Sequence, residues 1–291
     1  MEKIDKIILG SNSFEGVGYL SRAQTRHYIE FFSKKENIIP ILEASFNLGI
    51  RSFMCSNNSN ILSSLEDFKN SSDLSILAVI PNAYEYARES TEKGVLGAIL
   101  SKAKKIDLYR KVRMGLQAIR KIQGIITKDL LTILTNLMDF EMASFHSYNV
   151  PGVILHGQVT DLALSSHNRE IFDVYQEIIR ERYKAQPILA THNFGILLPK
   201  LMEWNIKLPI VASFNKKGFI MKPTQEECER LLEKTDYYII AKKVMAGGRL
   251  SPEEAFPYLS DKNIGSVVLG IGSLSEAYHT LSVAKSAFQN S

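Results

Sequence analysis

Gly152-Val153-Ile154-Leu155-His156-Gly157 is the stretch on which the fold reading turns. A short β-branched run with no polar alternation, cut off by a polar residue and a glycine, is the form of a strand covered on both faces that hands over to a loop. The same form recurs on either side of it. Toward the N-terminus lie Lys6 to Leu9 before Gly10-Ser11-Asn12-Ser13, Arg51 to Cys55, and Ser75 to Ile80 before Pro81-Asn82. Toward the C-terminus lie Pro187 to Ala190 before Thr191-His192-Asn193, Leu208 to Ala212 before Ser213-Phe214-Asn215, Tyr237 to Ala241 before Lys242-Lys243, and Ser266 to Leu269 before Gly270-Ile271-Gly272-Ser273. That makes eight runs, with helical spacing between them, as in the amphipathic Ile38 to Leu48 and its Gly49. Eight strands alternating with helices predict an α/β fold of the closed parallel type, a (β/α)8 TIM barrel. The competing doubly wound sheet would carry Gly-x-Gly-x-x-Gly after its first strand, where this chain has Gly10-Ser11-Asn12-Ser13-Phe14-Glu15.

The connection from Pro81 to Pro151 is far longer than one crossover helix needs. It holds helical patterns over roughly 83–122 and 128–140, so a helical insertion at 83–150, between strands three and four, is expected within one domain spanning 1–291.

The chain has 291 residues, 45% of them apolar, with 35 basic and 31 acidic side chains for a net charge of +4. That balance lacks the concentrated basic field of a nucleic-acid binder, and the run from Lys102 to Arg113 reads as a solvated helix face. No apolar stretch reaches the ~18 residues of a membrane span, and Met1 to Lys6 starts no signal core. Two widely separated cysteines, Cys55 and Cys228, form no disulfide framework. A cytoplasmic protein is expected, with a small molecule as its partner, no nucleic acid and no membrane; a second copy of the chain is left open as a partner.

In such a barrel chemistry sits where strands run into βα loops. The residues there are polar and amide-rich. Asn12, Asn57, Asn82, His192 and Asn215 are candidates for binding substrate, because amides and imidazoles can meet carbonyls and hydroxyls without burying a charge. The same residue types also serve loops and caps. His156, directly after its strand, is a candidate acid/base or electrophile, and a hydrogen-bonded structural residue is the alternative. No metal site is assigned, since Asp161 is the sole carboxylate close to the two histidines in sequence. Lys242 and Lys243 are catalytic candidates as anion clamp or Schiff-base nucleophile, and strand alternation predicts that at most one faces the axis. Gly270, Gly272 and Ser273 form a glycine turn opening a helix, which suits a phosphate or simply a tight turn.

These strand-end motifs resemble the aldo-keto reductase superfamily, most clearly from Gly152 onward. Val153-Ile154-Leu155-His156 is similar to its fourth strand with the active-site histidine, and Thr191-His192-Asn193-Phe194 to its Ser-Asn-Phe motif, so that the resemblance implies a nicotinamide-binding role for Asn193. Ile240 to Gly248 and Ser266 to Ser273 are similar to the strands that wrap the dinucleotide, and NADP(H) is the cofactor this implies. The family works with an Asp, Tyr, Lys and His together. Here Met54 and Ser59 stand where Asp and Tyr are expected, no lysine falls near Pro81 or Asn82, and of the four only His156 remains. The glycine turn also lacks the basic side chains that usually hold the 2′-phosphate. The chain therefore reads as a divergent barrel enzyme acting on a small polar or phosphorylated metabolite. The alternatives are an NAD(P)H-dependent carbonyl reductase with Tyr84 or Tyr86 as replacement acid, and a non-catalytic ligand-binding barrel.

Overall fold

The computed structural model describes residues 4–82 and 130–288. Eight parallel strands close into a barrel in sequence order, β8 pairing back onto β1. They are β1 (Ile7–Gly10), β2 (Ser52–Cys55), β3 (Ser75–Ile80), β4 (Asn149–Leu155), β5 (Gln186–Ala190), β6 (Ile210–Ser213), β7 (Ile239–Lys242) and β8 (Ser266–Gly270). The helices are α1 (Arg22–Phe31), α2 (Ile39–Asn47), α3 (Ser59–Asp67), α4 (Leu130–Met142), α5 (Gly157–Ser165), α6 (Arg169–Tyr183), α7 (Phe194–Glu203), α8 (Gln225–Lys234), α9 (Pro252–Ser260) and α10 (Leu274–Phe288).

Strand alternation sorts the apolar residues into two cores. Ile8, Leu77, Ile154, Ile188, Ile240 and Val268 fill the barrel interior, whereas Val153, Leu155, Ala241 and Leu269 point outward and pack under the helices. Parity then fixes what emerges at the top, because residues two beyond an inward one continue the inward row. Helix starts are fastened by local caps. Asn58, Asn168 and Thr224 each accept a backbone N–H, and Ser251 with Glu254 forms a reciprocal capping box ahead of Pro252. The buried Tyr175 of α6 ties its hydroxyl to the carbonyls of Val153 (2.6 Å) and Ile188 (3.0 Å), fixing that helix against β4 and β5.

Three details differ from the sequence reading. Two helices separate β1 from β2 instead of one, because none of the α1 residues is buried and so no apolar stripe announces it. β4 starts at Asn149, so the last residues assigned to the insertion belong to the sheet. The helix expected over 128–140 is found at Leu130–Met142, while the helical pattern expected over 83–122, with Tyr84 and Tyr86, lies outside the described residues. Both cysteines are buried free thiols. Among the described residues no helix is long and apolar enough to cross a membrane, and no group of three or more His, Cys, Asp or Glu is placed to hold a metal.

Candidate active site

The inward row opens into two adjoining cavities at the carboxyl ends of the strands, of about 130 Å³ and about 60 Å³, which share Asn12, Met54, Lys242 and Lys243. His156 and His192 line the smaller one; Tyr19, Tyr28, Gly270 and Glu276 line the larger.

Ile154 faces inward, so His156, two residues on, does too. Its Nδ1 accepts the Gln158 N–H at 3.2 Å and caps α5, which leaves Nε2 as the protonated nitrogen. Burial, reinforced by Lys242 and His192, pushes the ring down to about 3. His156 is therefore neutral across the physiological range. It can donate a hydrogen bond from Nε2 but does not serve as an imidazolium acid, which narrows the acid/base role expected for it.

His192 follows the inward Ala190 in the same way. Asp161 of α5 accepts from the His192 ring Nδ1 (3.2 Å), from its backbone N–H (3.1 Å) and from Thr191 Oγ1 (2.5 Å). Nδ1 is thus the protonated nitrogen, with the Nε2 lone pair available as a base. The Asp161 bond raises the His192 pKa, but burial and the two lysines outweigh it and the net shift is downward. Burial would raise Asp161; the bonds from His192 and Thr191 hold it below the ordinary carboxylate range. Gly157 makes room for the dyad, since a Cβ there would lie 3.1 Å from His192 Cε1.

Lys242 and Lys243 both line both cavities, against the expectation that at most one would. β7 ends at Lys242, and Lys243 takes a left-handed φ of 55°, which breaks the alternation and turns the second side chain back into the mouth. Burial, then Lys243, drive the Lys242 ammonium well below lysine's ordinary range, with Asp161 pulling weakly the other way. Burial alone lowers Lys243 to about 8, and its Nζ lies 4.9 Å from the Tyr19 ring centre.

The amides divide. Asn12 lines the mouth and donates to Tyr19 Oη at 2.9 Å. Asn82 is buried at the smaller cavity, its backbone N–H held by both oxygens of the buried Glu141 of α4. Asn57 lines neither cavity, and its buried Oδ1 has no hydrogen-bond partner among the described residues. Asn215 is consumed by its own loop, accepting from Phe219 N–H and donating to Phe219 carbonyl. Asn193 falls one residue out of the inward row and faces a separate groove between α5 and α7, so it is not among the residues brought to the mouth. The mouth residues that escaped the sequence reading include Glu15, Ser56, Tyr19, Tyr28 and Glu276. Ser56 was findable by counting two past Met54; its buried Oγ has no hydrogen-bond partner among the described residues.

The glycine turn does not fit a dinucleotide phosphate. The Gly272 N–H is donated to Glu276 Oε2 at 2.7 Å, Ser273 Oγ accepts the Glu276 N–H, and Tyr28 packs against Gly272. The chain's own carboxylate, its pKa raised by burial, takes the place an anion would need.

Fold and mouth together define a (β/α)8 barrel with a polar, imidazole- and amine-lined opening at the carboxyl ends of its strands. The barrel is similar in fold to solved structures of aldo-keto reductases. Its fold is similar to that of two Pseudomonas aeruginosa structures assigned to the aldo-keto reductases, with TM-scores of 0.55 and 0.56, identities of 11% and 13%, coverage of 98% of this chain in both, and coverage of 90% and 91% of the other. An aldo-keto reductase of Bacillus halodurans in its holo form matches with a TM-score of 0.52 at 12% identity, covering 99% of this chain and 92% of that one. No family model and no curated protein sequence matches. At such identities the likeness speaks for the fold, and the chemistry has to be argued from the site.

Proposed function

We propose that the protein is an enzyme that converts a small, polar carbonyl metabolite, one carrying a phosphate or carboxylate, in the mouth of its barrel and without a nicotinamide. The observation that carries this reading is the convergence of His156, His192 and Lys242 from the ends of β4, β5 and β7 on one small cavity. His192, oriented by Asp161, is the general base through Nε2. His156 donates from Nε2 to the substrate's carbonyl oxygen as a neutral imidazole, which polarises the bond without giving up a proton. Lys243, at about 8, is mostly an ammonium near neutral pH and meets the anionic group. The Ser56 hydroxyl, without a hydrogen-bond partner among the described residues, suits a substrate hydroxyl. Cavities of about 130 and 60 Å³ fit a substrate of a few carbon atoms, below the roughly 300–1,000 Å³ of drug-sized sites.

The test is to incubate the protein with a defined pool of sugar phosphates, hydroxyaldehydes and 2-oxoacids and to follow the pool by mass spectrometry. One member is expected to be interconverted by the wild type and left unchanged by His192→Ala. A pool altered only when NADPH is added would replace this reading with a reductase.

A further inference from the structure

We propose that Lys242 is a covalent catalyst that captures an aldehyde or ketone substrate as an imine in the barrel mouth. This rests on the reading just given and names its chemical step. Lys242 is the last residue of β7, two past the inward Ile240, and its side chain reaches both cavities. Apolar Met54, Val79, Ile154 and Val211 wall the smaller one. A buried lysine kept as a cation ordinarily has a carboxylate against it. Among the described residues no hydrogen bond or ion pair engages the Lys242 side chain, and the neighbouring Asp161 already receives three hydrogen bonds from Thr191 and His192. Of the two charged groups that act on it, Lys243 opposes an ammonium more strongly than Asp161 supports one. Burial and Lys243 favour the free amine, which is the nucleophilic form.

The step balances without an oxidant or cofactor. The Nζ lone pair forms a bond to the carbonyl carbon, and the carbonyl π pair moves to oxygen, which is met by the His156 Nε2–H. One amine proton is relayed to that oxygen, giving a carbinolamine. The C–O bond then breaks, the oxygen leaves as water with the second amine proton, and a C=N bond remains. In sum, amine plus carbonyl gives imine plus water. The imine withdraws electrons from the adjacent carbon, where His192 Nε2 can remove a proton. An anionic substituent lies toward Lys243. The substrate class is therefore a short hydroxyaldehyde, hydroxyketone or 2-oxoacid.

The experiment treats the full chain with glyceraldehyde, and separately with pyruvate, in the presence of cyanoborohydride, and maps the reduced adducts by peptide mass spectrometry over time. The expected result is a fast phase of one adduct per chain on Lys242, at least tenfold faster than on the exposed Lys184, and loss of that phase in Lys242→Met with the slow surface phase unchanged. Labelling of Lys184 and other exposed lysines while Lys242 of the wild type stays unmodified overturns the proposal, and the wild-type map decides this even if the variant does not fold. Substrate turnover that needs His192 but leaves Lys242 unlabelled would sink the imine and spare the enzyme reading; rapid Lys242 labelling with no turnover of any pool member would do the reverse.

Discussion

Replacing Lys243 by Met should make the protein more stable, and by an amount that depends on pH. Lys243 titrates at about 8 in the folded chain, against an ordinary value of 10.5. The unfolded chain therefore binds more protons between those values, so wild-type stability rises with pH across that window and the full penalty applies below it. A gap of about 2.5 pKa units at 1.36 kcal/mol each is a penalty of about 3 kcal/mol. The ammonium recovers roughly 0.5–1 kcal/mol from the face of Tyr19, which Met forfeits. The expected gain at pH 7 is about 2 kcal/mol, or about 4–8 °C in melting temperature for a chain of this size. The left-handed backbone is common to both residues and cancels. Urea unfolding of both proteins at pH 7 and pH 10 measures the difference, which should shrink to below about 1 kcal/mol at pH 10. A variant less stable at pH 7, or a gain unchanged at pH 10, would refute the argument that burial depresses this amine.

Three further outcomes follow from the site. His156→Ala removes the cap on Gln158 N–H and should cost about 1 kcal/mol in urea unfolding, whereas His156→Asn keeps the cap and the stability; both should lose turnover, which separates the structural duty of the ring from its chemical one. Asp161 sits below its ordinary pKa, so the stability it contributes is present above about pH 4 and fades as pH falls through the folded value; Asp161→Asn should flatten that acid limb in thermal melts. Gly157→Ala presses a methyl to 3.1 Å from His192 Cε1 and should lower kcat on the order of tenfold with little change in melting temperature.

The barrel was legible because its signal is one of order. Each of the eight apolar runs ends at a polar residue or a glycine within two positions of the strand end in the structure, as at Ile80 and Leu155. α1 was not, since a helix with no buried residue has no periodic stripe. At the site, counting by two from the inward Ile154, Ala190 and Ile240 would have selected His156, His192 and Lys242 and set Asn193 aside. The same counting fails where the backbone leaves the strand. Lys243 is brought inward by a positive φ, and Asn215 is turned into its own loop by Phe219. Glu276 was hidden by a different cause: the third residue of a helix looks like an ordinary first-turn acid until it is seen to fold back onto Gly272.

The central claim is that the mouth takes a small anionic carbonyl compound in place of a nicotinamide. The direct measurement is the melting temperature of the wild type titrated with NADPH and, separately, with dihydroxyacetone phosphate and pyruvate, because a ligand that binds only the folded chain raises it. The account predicts a rise with a small carbonyl compound, lost in Lys243→Met, and none with millimolar NADPH. A rise with micromolar NADPH would contradict it and place hydride transfer in this barrel.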